Sequence, residues 1–266
     1  MGKSLVKLYE FSKDKNLFVR EHIWQALNGN LQDIENAIFE LFNKEEFRNF
    51  SSYLANLANI VDVLSSNITF KSLLEKLLLN QHALAKIQHS SYYHQNGFDK
   101  FVLIDNQYFK LRLHVWQPEN IDKAQENIHD HRWAFASKVL YGSFQNQLFE
   151  EHEQGNIERY FYTYLPAYKD QKYDLKYNGK RRLTLLEEVN LQTSQLYCLA
   201  PDVLHRISQV NSDGCATLML TGTAFRTDCR LFAERQILEQ EKINVPFSQD
   251  YIASTFQQVI QKIIKI

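Results

Sequence analysis

Cysteine is scarce in this chain: Cys198, Cys215 and Cys229 are the only three, and no two form a CxxC pair. So few thiols cannot build a disulfide framework, which excludes a small bridge-held secreted scaffold and makes a reducing cytoplasm the expected setting. A surplus of charge is missing as well. Lysine plus arginine number 30 against 31 acidic residues, a net charge of −1, so the basic footprint of a nucleic-acid-binding surface is absent. Long apolar runs are the third absence. No stretch approaches the ~18 residues of a membrane span, and Met1-Gly2-Lys3-Ser4-Leu5 leads into charged residues without an apolar signal segment. Neither export nor insertion is expected. There is no internal repeat and no low-complexity linker, and 266 residues suffice for one large domain or two small ones with a substantial core.

What is present divides by periodicity. Residues 16–90 read as helix: Ile34, Ala37, Ile38 and Leu41 recur at helical spacing after Asn28-Gly29-Asn30, which supplies a stop for one helix and a cap for the next. Leu73, Leu74, Leu77, Leu78, Ala83, Leu84 and Ile87 repeat the pattern. These amphipathic helices either cover a β core or offer a surface to a partner or a second copy in a homodimer; both readings stay open. From Phe98 the period becomes two. Phe109, Leu111, Leu113 and Val115 alternate with Lys110, Arg112, His114 and Trp116, as in a half-buried strand. Turn signals follow at Gln154-Gly155-Asn156, Asn178-Gly179 and Asp213-Gly214. The second of these, between Tyr173–Tyr177 and Arg181–Val189, predicts a hairpin. Some ten short strands between about 98 and 232 predict an antiparallel sandwich or barrel. Ile252, Phe256, Val259, Ile260 and Ile263 return to a helical stripe.

The chemistry is expected at Ile128-His129-Asp130-His131. Residues two apart on a strand share a face, so two imidazoles can grip one divalent ion, with Asp130 turned to the other side as a structural residue. The run Trp133–Tyr141, closed by Gly142, puts the pair in a strand context. A third candidate ligand is His205, after the Pro201-Asp202 turn. Arg112 and His114 share one face of the strand before the ligands. They are candidates for holding a carboxylate as a bidentate pair and for acting as a general base, against the reading that both are solvated. Tyr197 and Tyr141 are further pocket candidates. Arg132 and Arg206 are expected to face outward; His22, His82, His89, His94 and His152 read as surface or core residues.

His129-x-His131, the Gly142 turn and the later His205, preceded by the Lys110–Trp116 strand, resemble the two metal motifs of the cupin superfamily. Where many cupins add a glutamate ligand after the pair, this chain has Phe135 and Ala136, which narrows the resemblance to the three-His, cysteine dioxygenase-like branch. It implies a mainly β fold, a cupin (double-stranded β-helix or jelly-roll) barrel over 96–235, with a helical region 1–95 packed on it and a C-terminal helical extension 236–266. It also implies a non-haem Fe(II) centre at His129, His131 and His205 with O₂ as cosubstrate, in an oxygenase or dioxygenase. The expected substrate is a small amino-acid-like or thiol compound bearing a carboxylate, with Arg112, His114 and Tyr197 as this chain's own candidates for holding it and for catalysis. The family's Ser-His-Tyr relay is not matched, since Met219 and Thr221 stand in the His and Tyr places. Neither its carboxylate-binding arginine, expected at Phe101–Asn106, nor its crosslinking cysteine is present. Cysteine itself is therefore not the expected substrate. Zn(II) or Mn(II) would suit the same ligands in a non-redox isomerase or hydrolase, and a ligand-binding or regulatory cupin module is the non-enzymatic alternative.

Overall fold

A computed structural model describes residues 7–8, 13–44, 49–123, 126–165, 174–237 and 245–266; the Met1–Leu5 stretch and Tyr173 lie outside them. After the short strand β1 (Lys7–Leu8) come five helices: α1 (Lys13–Leu27), α2 (Leu31–Lys44), α3 (Phe50–Leu64), α4 (Asn67–Leu79) and α5 (Gln81–Ser90). Their boundaries follow local chemistry. Asn30 accepts from the backbone N–H of Gln32 and Asp33 to start α2, and Asn80 accepts from Ala83 N, splitting the continuous stripe of Leu73–Ile87 into α4 and α5.

The β region comprises β2 (Tyr92–His94), β3 (Phe98–Asp105), β4 (Lys110–Trp116), β5 (Ile128–His129), β6 (Trp133–Tyr141), β7 (Ser143–Glu151), β8 (Ile157–Leu165), β9 (Asp174–Gln192), β10 (Leu196–Leu199), β11 (Leu204–Ser208), β12 (Cys215–Ala224) and β13 (Cys229–Ala233), before helix α6 (Gln249–Ile264). The fold is mainly β, with helices towards both ends of the chain. One antiparallel sheet has the order β1-β10-β6-β12-β4-β3-β2. The pairings of the second close on themselves as β11-β5-β13-β8-β9-β7. At Gly142, with φ of +79°, the chain turns a corner from β6 in the first sheet to β7 in the second.

Two cores result from the alternation along β4. Leu111, Leu113 and Val115 point to one side and join Ile60, Phe101 and Phe256 in a cluster shared by the helices and the first sheet. Each such side chain, fully buried, stabilises the packing by roughly 1.5–3 kcal/mol. Trp116 points the other way, into a cluster between the sheets with Phe98, Phe135, Phe144, Leu148, Tyr197 and Met219. Arg112 and His114 share its face and are 8% and 7% exposed. They are therefore buried in the lumen and not solvated.

The hairpin expectation fails. Asn178-Gly179 is no hairpin turn: it lies inside β9, where Tyr160 pairs with Lys180 but Tyr162 pairs with Tyr177. The extra residue makes a β-bulge, and Gly179 adopts φ of +92°. The same left-handed preference that suits Asn-Gly to a type I′ turn suits glycine to a bulge. Gln154-Gly155-Asn156 is a turn, yet β7 and β8 on either side of it both pair with successive stretches of β9. The segment Tyr92–His94, expected in the helical region, is a strand at the edge of the first sheet.

Candidate metal centre

Register brings the three histidines together. His205 on β11 is the cross-strand partner of His129 on β5, which sets their side chains side by side. His131 follows two residues after His129, just beyond the end of β5, where its backbone N–H donates to Pro201 O at 3.0 Å. The ring centroids are 4.8 Å apart for His129 and His131, 4.7 Å for His129 and His205, and 5.1 Å for His131 and His205. One ligating nitrogen from each lies within 4.8 Å of the others.

The hydrogen bonds aim these nitrogens. His129 Nδ1 donates to Asn127 O at 2.9 Å, and His205 Nδ1 donates to Asn146 Oδ1 at 3.2 Å. Each bond fixes the tautomer that presents a bare Nε2 to the centre. His131 Nε2 and His205 Nε2 are 3.0 Å apart. Two nitrogens each about 2.1 Å from one ion and at right angles would sit about 3 Å apart, so the donor set fits a divalent metal. Burial holds the His131 and His205 imidazoles well below the usual histidine range. They are neutral at pH 7, as ligands must be.

Asp130 does turn away from the centre and is 1% exposed. Its Oδ2 accepts from Arg226 Nη1 at 2.8 Å and Arg230 Nε at 2.7 Å, and its Oδ1 accepts from Arg230 N at 2.6 Å. Arg230 Nη2 in turn donates to Asp202 O at 2.8 Å, in the turn before His205. A single guanidinium thus braces both histidine segments.

A carboxylate stands near the centre, but upstream of the pair. Glu126 Oε1 is 4.0 Å from His129 Nε2 and accepts from Asn96 Nδ2 at 2.7 Å; Oε2 accepts from Ile207 N. Burial raises its carboxyl above the usual range. It also lines a cavity of about 160 Å³ with Asn96, Trp116 and Ile207. The positions following His131 gave no hint of it, because Phe135 and Ala136 are buried apolar residues.

Of the other sequence candidates, Arg112 and His114 reach the lumen beside the centre. The Arg112 guanidinium lies 5.0 Å from the Trp133 ring, and Trp133 stacks on His131 at 5.8 Å. His114 packs 4.5 Å from Phe98, and burial holds it neutral, well below the usual range. Neither Arg112 Nε nor His114 Nε2 has a hydrogen-bond partner among the described residues. Tyr197 is 1% exposed and does not join the histidines: Phe135 stands between, 5.7 Å from Tyr197, 5.2 Å from His131 and 5.9 Å from His205. Tyr141 packs in the helix-side cluster. Arg206 is half-buried, its Nε donating to Gln147 Oε1 at 2.6 Å. Arg132 contradicts the outward reading. Its Nε is buried without a partner among the described residues, and its guanidinium lies 5.0 Å from the Trp133 ring that Arg112 also contacts. His94, expected to be bland, stacks 4.7 Å from Phe98 in the same lumen.

No protein-family model matches the chain, and no curated protein matches it. Among solved structures, an RmlC-like cupin from Shewanella frigidimarina is similar at 11% identity and a TM-score of 0.22, over 50% of this chain and 83% of that one. Streptomyces albus HEPD, with 2-hydroxyethylphosphonate and Fe(II) bound, gives 10% and 0.31 over 82% of this chain and 43% of its own. Hydroxypropylphosphonic acid epoxidase from S. wedmorenis gives 12% and 0.30 over 78% and 95%. No helix among the described residues is long and apolar enough to cross a membrane.

Proposed function

We propose that this chain is a non-haem Fe(II)-dependent oxygenase of the three-His type, acting on a small amino-acid-like or thiol substrate. The observation that carries the reading is the convergence of three imidazoles, His129, His131 and His205, with no aspartate or glutamate of the described residues among the atoms that meet within 4.8 Å. Three neutral ligands leave an ion its full charge and open positions, and iron bound there would supply chelation of the substrate and activation of O₂.

The chain's own residues supply the rest. Phe98, Trp116, Phe135 and Met219 give the lumen an apolar part, and the low dielectric of that part strengthens the polar contacts beside it. Arg112, cationic and without a carboxylate partner among the described residues, holds the acidic end of the substrate. His114, neutral with a bare buried nitrogen, accepts the proton that the substrate's thiol or amine gives up as it binds. Tyr197 backs Phe135 and fixes that ring against the two histidines. A reducing cytoplasm is the matching compartment, with all three cysteines buried and none of them in a disulfide.

Oxygen uptake by anaerobically purified protein, mixed with a panel of thiols and amino acids, tests the reading. Substrate-dependent uptake that is lost in His129→Ala is expected. Zinc in place of iron, with no uptake for any compound, would transfer the site to the non-redox class.

A further inference from the structure

The lumen face beside the histidines carries more positive charge than a monocarboxylate can balance. Lys100 on β3 is the cross-strand partner of His114 on β4, and Val102 partners Arg112. Side chains alternate along both strands, so Lys100, His114 and Arg112 form a triangle on one face. Arg132 closes the patch from the loop after β5, sharing the Trp133 ring with Arg112 at 5.0 Å each. Among the described residues none of Lys100, Arg112 and Arg132 has a carboxylate in ion-pair contact. Lys100 Nζ donates to a neutral group, Tyr92 OH, at 2.9 Å. The acidic side chain whose charge reaches both Lys100 and Arg112 is Asp105, which is exposed and paired with Lys110 at 2.8 Å. Buried Arg112 Nε and Arg132 Nε are both N–H donors left without hydrogen-bond partners among the described residues.

Such an arrangement is costly in the free protein. Buried charges are ordinarily paired, and burying an N–H without an acceptor costs free energy. From this we infer that the pocket is completed by a substrate whose acidic end carries two negative charges, either one phosphonate-type group or two carboxylates, held jointly by Arg112, Lys100 and Arg132. The inference rests on the oxygenase reading only for the word substrate; the anion site stands on its own residues. Like charges crowd these cations: burial and the Arg112 guanidinium push the Lys100 amine down to about 7, and burial pushes Arg112 down to about 10. A dianion offsets two of the three cations, whereas a monoanion leaves two uncompensated.

Calorimetric titration of the full chain with methylphosphonate, malonate and acetate decides the matter, with metal content measured on the same sample. At least one of the two dianions should bind ten-fold or more tighter than acetate. Arg112→Gln should weaken that dianion at least ten-fold while raising the melting temperature of the unliganded protein, since an unpaired buried cation is removed. Should Arg112→Gln fail to fold, Lys100→Gln carries the same test, with the same loss expected. Acetate binding as tightly as both dianions, no binding of any probe, or dianion binding unchanged in the variants would overturn the inference. Dianion binding in a protein that holds no iron would leave it standing and remove the oxygenase reading instead.

Discussion

At Asp130 one carboxylate accepts three N–H donors from Arg226 and Arg230, and Arg230 reaches on to the turn before His205. Removing it strands two partly buried guanidinium groups and frees both histidine segments. Asp130→Ala should therefore lower stability by about 2–3 kcal/mol in chemical unfolding and weaken metal binding roughly 10–100-fold in a competition titration. The histidine pair was legible in the sequence because i and i+2 is a local spacing. The clamp was not, since its arginines lie about 100 residues further on and nothing local marks them. Lys100 gives the pH dependence. Its amine sits near 7 in the folded chain but at the ordinary value, about 10, when unfolded. Between those values the unfolded state binds the extra proton, so stability rises with pH across that window, and below about 7 the destabilisation is fully present. Relative to Lys100→Gln, the wild-type melting temperature should climb from about pH 7 to about pH 10; a flat difference would contradict the buried placement of the amine.

Two glycines separate what an element needs from what it tolerates. Gly142 turns the chain from one sheet to the other at φ of +79°, and a Cβ there would overlap Gly214 O and crowd Cys215. Gly179 has φ of +92°, but a Cβ there would meet only Arg181 Nη1 at 4.0 Å. Gly179→Ala should thus cost about 1 kcal/mol, the left-handed conformation alone, and Gly142→Ala about 3 kcal/mol or more, since neighbouring backbone must also shift. Equal costs in parallel denaturant melts would show that crowding at the corner is absorbed. The helical region, the Asn30 cap, the β4 alternation and the α6 stripe were legible because each is a short-range pattern, whereas the Asn80 break between α4 and α5 was hidden by the unbroken apolar stripe. The bulge in β9 was not. Asn-Gly specifies a left-handed residue but not whether the strand continues beyond it, which depends on pairing with β8.

Across the whole molecule, the first sheet works as a partition. Its helix side buries Leu111, Leu113 and Val115 against α-helical residues, and its lumen side presents Arg112, His114 and Trp116 towards the histidines. Strand alternation announced two faces, but only the helices decided which face is structural and which is chemical. Glu126, Lys100, Arg132 and His94 joined the lumen without any sequence signal: the pairing of β2, β3 and β4 brings His94 and Lys100 there, and Glu126 and Arg132 flank the His129 and His131 pair. The centre itself depends on the β5–β11 register that pairs His129 with His205, so metal binding reports the architecture as well as the site. The most direct test is elemental analysis of anaerobically purified wild type beside His129→Ala, His131→Ala and His205→Ala, each checked by circular dichroism for an unchanged fold. Near-stoichiometric iron in the wild type and its loss in all three folded variants is the predicted result. Iron retained in any folded variant, or zinc or no metal in the wild type, would contradict a three-His iron centre.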